Sequence, residues 1–335
     1  RGIIMGLLLF SAGAFLIVPA SINASYVLFL IGLFILGCGL ATLETAANPY
    51  TTKLGDKESA ERRINFSQSF NGLAWIFGTI FATFFILGGE EGNVSAGLDS
   101  MIAPYAGIGI VVLIIAFIYM FVKLPEITDE DIDNAHGISS SIKLAPAKSV
   151  FKTKHLVLGV IAQFCYVAAQ TGVFSFFVNF LTADELGLDI TKTTAGYLLG
   201  LGGMSLFFVG RLSGSWLMSY YSPAKLLAIY SLMCVLLLPV VSGGFGMVSV
   251  VALCLIFFFM SIMFPTIFAL DIKDLGPQTK KGSSYLIMSI VGGAVFPMLM
   301  GWVADISSMS VGFLVPIPLF AFILYYALKG HKVQA

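Results

Sequence analysis

Glu44 sits in the apolar run from Leu36 to Pro49, where a carboxylate at membrane depth costs a few kcal/mol and therefore faces a protein interior or a wet cavity. Such a group suits proton or substrate traffic. Asn48 follows four residues on, about 40° around a helix, so the pair shares a face. Gln68, Asn71 and Trp75 repeat the pattern at i, i+3 and i+7, and Gln163, Tyr166 and Gln170 do so again, with Phe174 one turn further. Amides supply donors and acceptors, and an indole supplies a flat apolar face with one donor. That combination suits a sugar, whose hydroxyls need paired hydrogen bonds and whose C–H face stacks on an aromatic ring. Amides in membrane helices also serve as glue between helices, at roughly 1 kcal/mol each. Arg211, in Gly-Arg-Leu-Ser-Gly, reads as a gate latch, with Asp271 and Asp274 as candidate partners.

The elements that must position these side chains are apolar runs near 2–20, 25–48, 64–88, 102–122, 155–181, 194–220, 223–241, 246–270, 283–303 and 310–328. A bilayer-crossing helix needs about 20 apolar residues, and 58% of the 335 residues are hydrophobic against 11% charged. The expectation is an all-α integral membrane protein with ten transmembrane helices. A β-barrel is excluded, because its strands are about 10 residues long and alternate in polarity. Pro49 is expected to end or kink the second helix, and Pro19 and Pro239 to end the first and seventh.

Cations fall in alternate loops: Lys53, Lys57, Arg62 and Arg63 after the second run, Lys123 to Lys154 after the fourth, Lys225 after the sixth, Lys273, Lys280 and Lys281 after the eighth. The opposite loops carry only Lys192. By the positive-inside rule both termini are cytoplasmic. The first run has the flanks of a signal peptide but is long for one and fits the alternation of the rest. Four cysteines in apolar runs, without metal-ligand spacing, read as packing residues. No metal site, cofactor or nucleic-acid partner is expected, and no Ser/His/Asp constellation at one depth points to an enzyme.

Residues 123–154 form the only long polar stretch, read as a cytoplasmic connector between a four-helix bundle at 1–122 and a six-helix bundle at 155–335. A faint repeat supports the division: Leu54-Gly55 precedes Gly72 by the spacing at which Leu275-Gly276 precedes Gly293. Two parallel six-helix halves are the layout of major facilitator transporters, so the ten helices are expected to match helices three to twelve, with two more upstream.

The segments Leu43-Glu44-Thr45-Ala46-Ala47-Asn48-Pro49-Tyr50, Gln68-Ser69-Phe70-Asn71, Gln163 through Gln170, and Phe264-Pro265-Thr266 with Gly282-Ser283-Ser284 resemble the bacterial fucose:proton symporter family of that superfamily. The likeness spans nearly the whole chain. It implies proton-coupled import of a monosaccharide by alternating access, in a monomer in the bacterial inner membrane, with Glu44 as the proton site and Gln68 and Asn71 lining the sugar site. Relatives carry L-fucose, glucose and galactose, or N-acetylglucosamine. The glucose and galactose branch lacks a carboxylate at the position of Glu44, which favours L-fucose here. The family's second acid lies on a first helix that this chain does not include. A membrane sugar sensor that binds without transporting is the alternative from another class.

Overall fold

Every backbone polar group in a bilayer must be satisfied within its own segment, and the chain answers with helices. The computed structural model describes residues 2–54, 57–83, 94–122, 154–273, 275 and 278–332. The expected connector, apart from Lys154, lies outside the described residues, as does Asp274. The long helices are α1 (Gly2–Ile22), α2 (Tyr26–Lys53), α3 (Ala60–Ala82), α4 (Val94–Phe121) and α5 (Lys154–Ser175). After them come α6 (Lys192–Leu217), α7 (Pro223–Ser242), α8 (Met247–Ile272), α9 (Lys281–Ile306) and α10 (Met309–Gly330).

Nine of these ten helices are long and apolar enough, among the described residues, to cross a membrane. The exception is α3. It begins at Ala60 rather than near 64, because Glu61, Arg62 and Arg63 belong to its first turn, and Asn65, Gln68 and Asn71 follow within the next two or three. The apolar residues 84–88 that follow it in the sequence lie outside the described residues, so α3 as described is weighted toward its polar start. Protein must cover its polar face.

The prolines act less abruptly than expected. Pro49 lies inside α2, which continues to Lys53. Pro19 and Pro239 each stand three residues before their helix ends, at Ile22 and Ser242. Proline removes one N–H and thus one bond, but a membrane helix tolerates this where neighbouring groups satisfy the freed carbonyl.

Contacts divide the chain into two compact units. The first comprises 1–50 and 84–135 and contains α1, α4 and most of α2. In it α1 meets α2 backbone to backbone: a Cβ on Gly13 would stand 2.4 Å from the Leu36 nitrogen, and one on Gly39 2.4 Å from the Phe10 nitrogen. Only glycine permits that approach. On the other side of α1, Ser11 Oγ donates to the Gly109 carbonyl of α4 at 2.8 Å. Phe34, Phe117 and Phe121 point outward, as a bilayer-facing surface requires.

The second unit comprises 51–83 and 136–335 and so groups α3 with α5 through α10. Helix α5 packs on α8, α9 and α10, and α3 lies on α6 and α8. Tyr166, Phe177, Phe207, Phe257 and Phe320 form the centre of its core. Four of its helices are irregular, among them α10, which is interrupted between Gly312 and Ile317 and ends π-helical at Tyr326–Gly330. Leu198–Met204 of α6, rich in glycine, is π-helical; α8 breaks between Met260 and Met263; α9 tightens to a 3-10 turn at Ser289–Val291.

Candidate functional site

The break in α8 organises the polar interior of the second unit. Pro265 has no N–H to offer the Ser261 carbonyl four residues earlier. Arg211 of α6 replaces it, donating from Nε to the Ser261 carbonyl at 2.7 Å. One residue before, the Met260 carbonyl accepts from the Tyr166 hydroxyl at 3.1 Å. Two buried carbonyls freed by the break are thus capped by side chains from two other helices.

Arg211 is only 3% exposed. Its Nη1 donates to the Gln68 carbonyl of α3 at 2.7 Å, and its guanidinium lies 4.6 Å from the Phe207 ring centroid. Asp271, its expected partner, is elsewhere. Ten residues separate Ser261 from Asp271 on α8, about 15 Å of helix. Asp271 is fully buried and accepts instead from the Tyr326 hydroxyl of α10 at 2.9 Å, while its other oxygen has no partner among the described residues. It fits there because residue 159 of α5 is glycine: a Cβ would lie 1.7 Å from Asp271 Oδ1.

On α3 two members of the expected stripe bond to each other. Asn71 Nδ2 donates to Gln68 Oε1 at 3.3 Å, and Asn71 and Trp75 are exposed. Trp75 meets Phe174 of α5 edge to face with centroids 5.9 Å apart. Phe174 in turn stacks on Phe257 at 4.5 Å and 10° and meets Phe207 edge-on. This aromatic run joins the two sequence stripes to the ring beneath Arg211.

On α5 the expected stripe divides by role. Tyr166, read from sequence as a sugar contact, has its hydroxyl committed to α8. Gln170 is half-buried. Gln163 is fully buried, and neither its Nε2 nor its Oε1 has a hydrogen-bond partner among the described residues. A dry, unpaired amide costs 1–3 kcal/mol per group and calls for an occupant that pairs with it.

In the first unit, Asn48 Nδ2 donates to Glu44 Oε2 one turn earlier. Asn48 is buried and Glu44 half-buried. Nearby hydroxyls turn inward on the helix, Thr42 to the Cys38 carbonyl and Thr45 to the Ala41 carbonyl. The carboxylate therefore has a fixed amide donor beside it, an arrangement able to hold either a charge or a proton.

Several contacts were not legible as a pattern. Glu61, 3% exposed, pairs with Lys273 at 3.4 Å. Asn65 donates to Thr266 Oγ1 at 3.1 Å. Both tie α3 to α8, and their only sequence signal is polarity in a helix of membrane length. Outside the membrane segments, Glu185 accepts from the Met309 and Ser310 N–H groups at 3.1 and 3.2 Å. Burial pulls its pKa up, but the hydrogen bonds from Ser310 and Met309 outweigh this and hold it below the usual carboxylate value. The four cysteines are free.

Helices broken beside buried polar groups, in a chain of long apolar helices, define a polytopic membrane transporter rather than an enzyme. The chain belongs to the Major Facilitator Superfamily, whose profile matches residues 1–289. It is 37% identical to the L-fucose-proton symporter of Escherichia coli (strain K12) over 343 residues, spanning 97% of this chain and 77% of that protein. It is 35% identical to a glucose/galactose transporter of Brucella abortus biovar 1 (strain 9-941), over 99% of this chain and 78% of that one. A crystal structure of a variant of the E. coli fucose:proton symporter superposes with a TM-score of 0.82 at 35% identity, covering 100% of this chain and 84% of that chain.

Proposed function

We propose that this protein imports a monosaccharide together with a proton, by alternating access, and that the sugar is L-fucose. The observation that carries the reading is the 37% identity to an L-fucose-proton symporter across 97% of this chain, in a chain that keeps a carboxylate at Glu44. Glu44 takes the proton, with Asn48 beside it as a fixed donor. Protonation removes the cost of a charge in a poorly hydrated place and so favours the conformational exchange. Gln68, Asn71, Trp75, Gln163 and Gln170 bind the sugar; Tyr166 contributes its ring while its hydroxyl braces α8. Arg211 acts as a structural latch among α3, α6 and α8. Asp271 stands apart from that latch, against Tyr326.

In this reading the ten helices correspond to the third to twelfth of a twelve-helix transporter, in bundles at 1–122 and 155–335 joined by the connector at 123–154. The protein works as a monomer in the bacterial inner membrane with both termini cytoplasmic, an orientation that the distribution of lysine and arginine supports. A glucose/galactose substrate is the second reading, favoured by the similarity to the Brucella transporter.

The test is uptake by the full-length protein in proteoliposomes with external pH recorded. L-fucose is expected to alkalinise the medium, and D-glucose, D-galactose and N-acetylglucosamine to compete weakly. Glu44→Gln should abolish the alkalinisation while sugar exchange continues. Intact alkalinisation in that variant removes Glu44 from the mechanism, and stronger competition by D-glucose moves the substrate to the second reading.

A further inference from the structure

A cavity of about 690 Å³ opens between the start of α3 and the end of α6, lined by Ser59, Arg62, Arg63 and Phe66 on one side and Leu212 and Trp216 on the other. Its size falls within the ~300–1,000 Å³ of small-ligand sites, and it lies outside every residue assigned above to sugar or proton. Its two arginines are used differently. Arg63 turns inward, donating from Nη1 to Ser59 Oγ at 2.5 Å and from Nη2 to the Thr52 carbonyl at 2.7 Å, and so shapes the wall. The Arg62 side chain is exposed and makes no hydrogen bond or ion pair with any described residue. Its own carbonyl is anchored by Ser215 Oγ of α6 at 3.0 Å, which fixes where the guanidinium starts from.

The rest of the wall sets Leu54, Phe66, Leu212 and Trp216 among the hydroxyl-bearing Thr51, Ser59, Ser67 and Ser215. Phe66 is 55% and Trp216 58% exposed. Trp216 meets Tyr220 edge to face at 5.2 Å, and Tyr220 and Tyr221 are exposed just beyond the helix end. Aromatic side chains gathered at one depth mark the level of the headgroups. By the placement of cations, that level belongs to the cytoplasmic leaflet, which carries the anionic lipids that basic pockets between membrane helices recognise.

We propose that this cavity binds an acidic phospholipid of the cytoplasmic leaflet, its phosphate on the Arg62 guanidinium and its acyl chain along Phe66 and Trp216. Charge complementarity selects an anion, and the apolar side chains of the wall select one that carries a hydrocarbon tail. The bound lipid joins α3 to α6 at the end where Ser215 already links them.

The experiment titrates the purified full-length protein, in neutral detergent, with phosphatidylglycerol and reads bound lipid by native mass spectrometry. Wild-type protein is expected to retain phosphatidylglycerol in preference to phosphatidylcholine. Arg62→Gln should weaken that retention about fivefold, the worth of one basic side chain near an anionic lipid, while Lys225→Gln, an exposed cation outside the cavity, leaves it unchanged. Inorganic phosphate at millimolar concentration should not displace the lipid. Equal retention by Arg62→Gln and wild type overturns the proposal, and so does full displacement by phosphate, which would make this a free-anion site. If Arg62→Gln does not fold, Trp216→Ser carries the test, since it takes away the largest apolar side chain of the wall and keeps both arginines: unchanged retention there overturns the proposal equally.

Discussion

Replacing Arg211 by methionine tests the account of the α8 break. Among its interactions the side chain makes at least two hydrogen bonds of 2.7 Å to backbone carbonyls, each contributing about 1.5–3 kcal/mol because the donor is charged. Their gross loss is roughly 3–6 kcal/mol. Methionine also relieves the cost of burying a cation, so the expected net destabilisation is about 2–4 kcal/mol. The diagnostic part is its dependence on residue 265. The Ser261 carbonyl needs Arg211 only because Pro265 offers no N–H. Pro265→Ala restores that donor, and in its background Arg211→Met should cost about 1 kcal/mol less. The four proteins of this cycle can be compared by equilibrium unfolding in mixed detergent. Costs that add within about 0.5 kcal/mol, the usual result for independent sites, would refute the idea that Arg211 substitutes for the missing amide.

Gln163→Met removes an amide that has no partner among the described residues, so stability should hold or rise by about 1 kcal/mol while sugar affinity, read by calorimetry, falls at least about tenfold, or 1.4 kcal/mol; a loss of stability with unchanged affinity would make it a structural amide. Gly159→Ala would drive a methyl into the Asp271 carboxyl, and little folded protein is expected by size-exclusion chromatography. Asp271→Ala in the same chain should restore it, and failure of that rescue would place the clash elsewhere. Glu185 has a lowered folded pKa, so its contribution is complete above the unfolded value and lost as pH falls through the folded one, below about 4.5. Because the group is exposed, solvent screening limits this to a few tenths of a kcal/mol, seen as a melting temperature that declines slightly less on acidification in Glu185→Gln than in wild type.

The helices were legible because continuous apolar runs of about 20 residues admit little else. Their boundaries shifted where charge entered a helix: the hydropathy of 64–88 misplaced the start of α3, since Glu61 and Arg63 are satisfied by Lys273 and by the Thr52 carbonyl rather than by water. Helical spacing identified Gln68, Asn71 and Trp75 as one stripe, and the structure puts Phe174, from the second stripe, against Trp75. Spacing could not say where a side chain's hydrogen bonds go. Tyr166 looked like Gln163 and Gln170 on the helical wheel, yet its hydroxyl serves a carbonyl 94 residues away. Asp271 looked available to Arg211, yet Tyr326 and the notch at Gly159 claim it. Both pairings depend on how α8 bends at Pro265, a property of packed helices rather than of one periodicity.

The polar character of α3 also sets an order for assembly. Gln68 and Arg211, joined in the finished protein, lie 143 residues apart in sequence. At a synthesis rate of about 5–20 residues per second, roughly 7–30 s pass between the emergence of one and of the other. During that interval the polar first half of α3, from Glu61 to Asn71, has neither α6 nor α8 to lie against. That half is covered only once these late partners have been made. A mutation that slows or misfolds α6 would then be felt first in a helix made well before it.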